Sequence, residues 1–336
     1  MKKEMFAIIA LIFGVILLSG CTRTSEVVVG FSVGPSHERW DRDIDFFSSR
    51  VSLEDARVLV SKADNSHEKQ LEQVREMLKG KIDVLVIVPV DSKRASEIVR
   101  LAHEHDVRVI AYDRIVNDCD LDFYVSFDNM RVGEIQAEYL ARIKPEGHYA
   151  LLGGDRGDNN SILLRLGHMN VLQPFVESGK ISIVVDQYVK GWSSDEAFRI
   201  IDNYLESNPG MLDAIVASND YLADGAYQAL LKHNLNSRVL LSGQDAEVDA
   251  CRRIAQGQQT MTVYKYIETL ASVAASAAIS IAKGDPVMNT QLSINNGAVM
   301  VPSILLSSMV SVHSENIRMT VISNGYLDES IVFDNR

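Results

Sequence analysis

Short runs of β-branched and other apolar residues recur along the chain, each followed by a longer stretch whose apolar positions fall three and four apart. The runs at 27–32, 58–62, 84–89, 107–112, 149–153, 181–187, 214–218, 239–242 and 260–263 read as strands. The stretches 67–79, 95–105, 132–143, 195–206 and 247–255 read as helices. In the second of these, Ile98, Leu101 and Ala102 share one face while Arg100 and Glu104 point away from it. Strands that alternate with helices form parallel sheets covered on both faces. The rhythm runs through two sets of about five strands, so the pattern predicts an α/β fold of two doubly wound parallel-sheet domains. No internal repeat and no low-complexity linker separates the halves, which suits domains joined by several chain crossings.

Residues 1–21 stand outside this rhythm. Lys2 and Lys3 form a short basic start, and 5–17 is apolar apart from Gly14. That length is typical of a secretory signal and short for a bilayer span. The segment ends in Leu18-Ser19-Gly20-Cys21, which resembles the bacterial lipobox. Cleavage there would leave Cys21 as a lipidated N-terminus, with Thr22-Arg23-Thr24-Ser25 as a polar leash. Two acyl chains hold a protein firmly where one binds marginally. The expected location is therefore extracytoplasmic, tethered to a bacterial membrane through a lipid anchor.

Composition narrows the picture by exclusion. The 336 residues are 46% hydrophobic and 23% charged, with 20 Gly and 7 Pro, which is ordinary for a globular chain. The formal charge is -12. It becomes -13 once Lys2, Lys3 and Glu4 leave with the signal. An acidic balance of this size argues against nucleic acid as a partner. Cys119 and Cys251 would remain, and both are expected to be free. No phosphate-cradling GxxxxGK[ST], GxGxxG or GxSxG motif occurs. Asp118, Asp120 and Asp122 alternate like the start of a calcium loop, but Phe123 stands at the sixth position and Asn129 at the twelfth. His103 and His105 do not share a helix face. No metal or cofactor is expected. The small-residue stretch 271–282 is interrupted by serines and reads as a close-packed helix rather than a membrane span.

In doubly wound sheets, ligands bind beyond the carboxyl ends of the strands. The residues there include Arg39 and Trp40, Asp113-Arg114, the stretch 155–160, Asn219-Asp220, Gln244-Asp245 and Lys265. Carboxylates accept from vicinal hydroxyls, Arg and Lys donate to them, and Asn does both. The set suits a small ligand with many hydroxyls. Trp40 and Trp192, the two tryptophans of the chain, could each cover the C–H face of a pyranose. Asp158 and Asn219 also sit where helix caps belong, so capping competes with ligand contact at both.

Several segments together carry a resemblance. Glu38-Arg39-Trp40, the stretch 84–89, Ala111-Tyr112-Asp113-Arg114, DFYVSFDN at 122–129, Gly153-Gly154 through Asp158-Asn159-Asn160, VASND at 216–220, SGQDA at 242–246 and QTMTVYK at 259–265 resemble the xylose-binding members of the type I periplasmic sugar-binding proteins. The match is collinear from about residue 27 to 328. The resemblance implies a two-domain receptor that closes around an aldopentose, D-xylose foremost, without breaking any bond. It implies that Arg39 and Trp40 meet the sugar from the first domain, that Asp113 and Arg114 bind ring hydroxyls, and that Asp158 and Asn160 answer from the second domain. Trp192 would stack, and Asn219, Asp245 and Lys265 would complete the hydrogen bonds. Gly34-Pro35-Ser36-His37 departs from the more acidic stretch found in such relatives, at the mouth of the cleft. The implied domains are 26–128 with 267–300, and 129–266 with 301–336. The implied hinge has three crossings, near 127–130, 264–267 and 289–303.

The partner implied is an ABC transporter permease. A sensor subunit that reports sugar to a membrane histidine kinase would share the fold, and nothing in the chain separates the two. A sugar-modifying enzyme would need a catalytic carboxylate pair or nucleophile, whereas these acidic groups match binding roles. A repressor's effector domain would carry a helix-turn-helix where this chain has its signal.

Overall fold

The computed structural model describes residues 26–333 apart from 38 and 291; the signal segment, Cys21 and the polar leash lie outside the described residues. Strands β1 (Val27–Val33), β2 (Ala56–Lys62), β3 (Val84–Val88), β4 (Arg108–Tyr112) and β5 (Phe123–Phe127) lie parallel in the order β5-β4-β3-β1-β2. The near-continuous apolar runs of β1, β3, β4 and β5 follow from burial on both faces, whereas the edge strand β2 has no fully buried residue. Val29, Phe31, Val84 and Val86 pack against the helices Arg39–Val51 and Ile267–Lys283. Val28, Leu85, Ile87 and Val109 pack the opposite way, against His67–Lys79 and Ser96–His103. The alanine-rich helix Ile267–Lys283 lies closely along Arg39–Val51, and no helix among the described residues is long and apolar enough to cross a membrane.

The second sheet has the order β7-β6-β8-β9, from β6 (Gly147–Gly153), β7 (Ile181–Tyr188), β8 (Ala214–Ala217) and β9 (Leu240–Leu241). The helices Asn129–Ile143, Asn159–Glu177, Ser194–Ser207 and Asp220–Lys232 enclose it around one apolar core. Strand β10 (Thr262–Lys265) pairs antiparallel with β13 (Met309–Val312) beside this domain.

Two features differ from the sequence reading. The hairpin β11 (Leu292–Asn295) and β12 (Met300–Leu306) extends the larger sheet, with β12 running parallel to β5. Val301 and Ile304 are buried in that domain's cores. The chain therefore leaves the larger domain after Leu306, not within 289–303, and 301–306 belongs to the first domain. The larger sheet thus gains an antiparallel edge, and β10 with β13 forms a separate antiparallel pair, because a hairpin and a returning strand need no helix crossover. Cys119 and Cys251 are free thiols.

Candidate sugar site

The carboxyl ends of the two sheets face each other across a cleft, and all ten residues singled out from the sequence line one cavity there, with about 480 Å³ of empty space that is partly open to solvent. Arg39 and Trp40 open the helix Arg39–Val51, while Asp113 and Arg114 follow β4. From the other side, Asp158 and Asn160 begin the helix Asn159–Glu177, and Trp192 ends the short turn Lys190–Trp192. Asn219 follows β8, Asp245 follows β9, and Lys265 ends β10.

These side chains form a nearly closed ionic network. The Arg39 guanidinium donates to Asp113 Oδ2 (2.6 Å), Asp245 Oδ1 (3.2 Å) and Asp43 Oδ2 (3.3 Å). Lys265 Nζ lies 3.2 Å from Asp245 Oδ1 and 4.0 Å from Asp113 Oδ2. Arg114 Nε pairs with Asp158 Oδ2 at 2.8 Å. Asn160 Nδ2 donates to Asp113 Oδ1 (3.0 Å) and to its carbonyl (3.1 Å). Arg39–Asp245, Arg114–Asp158 and Asn160–Asp113 each join one domain to the other, so the structure is a closed form. Further out, Ser92 N donates to Gly157 O (2.8 Å), and the rings of His37 and Tyr221 meet at 4.4 Å.

Burial alone would raise the Asp113 carboxyl, but Arg39 and Lys265 outweigh it and hold it down at about 2. Asp245 is likewise lowered against its burial, by Lys265 and then Arg39. At Asp158 burial wins over Arg114 and the carboxyl is raised. Burial, with help from Arg114, pushes His37 down to about 4, so the imidazole at the cleft mouth is neutral near pH 7. The three cations Arg39, Arg114 and Lys265 are each matched by a carboxylate, and Glu247 also lines the cavity, so no unmatched positive charge is left to attract an anion. The cavity therefore suits a neutral polar ligand.

Trp40 and Trp192 flank the Arg114 guanidinium, at 5.6 and 6.0 Å from the ring centroids. Among the described residues, three cavity side-chain atoms are buried without a hydrogen-bond partner: Asn160 Oδ1, Trp192 Nε1 and Gln244 Oε1. Such atoms cost stability unless something pairs with them. Asp113, Trp192 and Asp245 hold left-handed backbone (φ 61°, 55° and 98°). Backbone of this kind costs about 1–3 kcal/mol at a non-glycine residue and collects at binding sites.

A periplasmic binding protein domain matches residues 30–286. The chain belongs to the type I periplasmic sugar-binding family. It is 43% identical to the D-xylose-binding periplasmic protein of Escherichia coli over 96% of this chain and 98% of that one. It is 40% identical to the protein of the same description from Haemophilus influenzae, over 97% and 98%. Among solved structures, an ABC transporter solute-binding protein from Clostridium phytofermentans with bound β-D-glucose superposes with a TM-score of 0.84 at 28% identity, covering 91% of this chain and 99% of that one.

As a periplasmic sugar-binding protein the molecule holds its ligand and performs no catalysis, which matches the sequence reading. Capping and cavity lining turn out to be compatible. Asp158 Oδ1 accepts from Asn160 N while Oδ2 meets Arg114. Asn219 Oδ1 caps the helix Asp220–Lys232 through Leu222 N (3.0 Å), which leaves its amide nitrogen for the cavity. The sequence reading did not single out His37, Asn129, Tyr221 or Glu247 as ligand contacts, and it placed Gln244 past a strand end without assigning it a contact; all five also line this sugar-binding protein's cavity. Asn129 follows β5, a strand absent from the sequence reading, and Gln244 stood in plain view beside Asp245. In the aspartate run, Asp122 accepts from Val109 N (2.8 Å) and meets His103, and Asp120 is exposed.

Proposed function

We propose that this protein captures an aldopentose, D-xylose above all, in the interdomain cleft and passes it to an ABC-type importer. The observation that carries the reading is the trio of buried, unpartnered polar atoms on Asn160, Trp192 and Gln244, set around a cavity without unmatched cations and with two indoles. A pyranose supplies both donors and acceptors through its hydroxyls, and apolar C–H faces for the indoles. The relatives from E. coli and H. influenzae, described as D-xylose-binding, support the choice of sugar. Arg39, Trp40, Asp113, Arg114, Asp158, Asn160, Trp192, Asn219, Asp245 and Lys265 are the proposed contacts, and closure brings them to bear from both domains.

A pentose has about ten non-hydrogen atoms, and at roughly -0.3 to -1.5 kcal/mol per atom a micromolar dissociation constant, about -8 kcal/mol, is well within reach. Calorimetric titration of the signal-free protein should give micromolar or tighter binding of D-xylose. Glucose should bind more weakly, because its extra CH2OH needs room. Equal binding of xylose, ribose and glucose, or binding of none, would overturn the assignment.

The proposed location is outside the cytoplasm, on a lipid anchor at Cys21. The support is the tetrapeptide Leu18-Ser19-Gly20-Cys21 and the polar leash after it. Cys21→Ala should yield a protein that is no longer retained by membranes and still binds sugar. A wild-type protein found wholly soluble, without acyl mass on its processed N-terminus, defeats this part of the proposal.

A further inference from the structure

Asp220 adjoins Asn219 in sequence, yet its side chain is not among those lining the sugar cavity. The residue is buried, and its carboxylate receives three donors. Oδ2 accepts from the Glu247 amide (3.0 Å) and the Thr262 hydroxyl (2.9 Å), and Oδ1 accepts from Gln259 Nε2 (3.0 Å). The Asp220 amide donates to the Gln244 carbonyl (2.9 Å). One residue thus ties the first turn of the helix Asp220–Lys232 to both halves of the 243–247 loop and to β10, the strand that ends in Lys265.

The loop has reason to need a tie. Asp245 and its neighbour Ala246 both hold positive φ (98° and 53°), and neither is glycine. At Gly243 a Cβ would overlap the Asp220 carboxyl group, so the loop passes directly over the side chain that fixes it. Gln259 is held from behind, because its Oε1 accepts from Arg253 Nε (3.1 Å) and Arg253 pairs with Asp224 at 2.8 Å. The carboxamide therefore cannot flip without turning its NH2 onto a guanidinium.

We propose that Asp220 is a positioning residue of the sugar site: it touches no sugar, and it sets Gln244, Asp245 and Lys265 in the geometry that receives one. This rests on the sugar-binding reading above. The decisive variant is Asp220→Asn, which keeps the shape but must aim an NH2 at one of three donors. The unsatisfied buried group costs about 1–3 kcal/mol in the ordered loop; the sugar-free variant relieves it by opening the loop and the sugar-bound one does not, so the D-xylose Kd should rise by up to roughly 5- to 150-fold. The change should appear in the dissociation rate. Thr262→Val removes a single donor and should cost a smaller factor.

Hydrogen exchange read without sugar should show the 245–247 amides opening faster in both variants, with the larger sheet unchanged. A role in stability alone would lower the melting temperature and leave Kd, dissociation rate and loop exchange at wild-type values. That result in Asp220→Asn overturns the proposal, and Thr262→Val decides in the same way if Asp220→Asn does not fold. Should the wild type bind no sugar, the sugar reading fails on its own, and the exchange measurement still settles whether Asp220 holds the loop.

Discussion

Replacing Asp113 by asparagine should weaken D-xylose binding by roughly 30- to 1,000-fold while the sugar-free protein stays folded. Asn tolerates left-handed backbone, so the φ of 61° at this position is preserved. What changes is the donor balance. Asp113 faces only donors: Arg39 Nη2, Asn160 Nδ2 and, at 4.0 Å, Lys265 Nζ. An amide would turn its own NH2 toward one of them and leave two buried cations short of a negative charge. Breaking a buried charge network by removing one partner costs about 3–5 kcal/mol. Arg39 keeps Asp43 and Asp245, so about 2–4 kcal/mol is the expected share, which corresponds to the stated range. Calorimetry on protein with an unshifted sugar-free melting transition makes the comparison, with Asp120→Ala in the exposed aspartate run as the variant that should bind normally. Binding within threefold of wild type for Asp113→Asn, or loss of binding in Asp120→Ala, would falsify this map of the pocket.

Gly154→Ala should cost nearly as much as deleting the tryptophan it touches. A Cβ on Gly154 would overlap the indole ring of Trp192. Trp192 is buried and its backbone is left-handed. The indole must move, taking with it apolar cover for the sugar and the unpartnered Nε1 donor. Loss of an aromatic contact together with a buried hydrogen bond is worth about 1.5–3 kcal/mol, or roughly 10- to 150-fold in Kd. Trp192→Ala should match it. The double variant should add little to either single one, because both remove the same contact. Additive losses would mean that Gly154 acts elsewhere.

Much of the candidate site is legible because it obeys a positional rule. Asp113-Arg114, Asn219, Asp245 and Lys265 each stand at a strand's carboxyl end, and apolar runs locate those ends. The rule fails where the strand itself is hidden. β5 follows the aspartate-rich stretch 118–122, whose polar lead-in masks a fully buried strand, and Asn129 just beyond it goes unread as a cavity residue. The hairpin of β11 and β12 has weak alternation and an exposed outer strand, so the last crossing was placed too early. The meeting of His37 and Tyr221 exists only through closure of one domain on the other, and local pattern carries no signal of it. Arg39 lies past the end of the first strand and obeys the same rule; its partner Asp43, one helical turn on, follows from spacing once the helix Arg39–Val51 is known.

The chain has two tryptophans, and both stand against the same guanidinium, that of Arg114. Ultraviolet emission excited near 295 nm, where tryptophan dominates protein absorption, therefore originates at one place in the molecule, the wall of the cleft. The protein carries its own optical probe, placed where occupancy and closure are felt and silent about the rest of the fold.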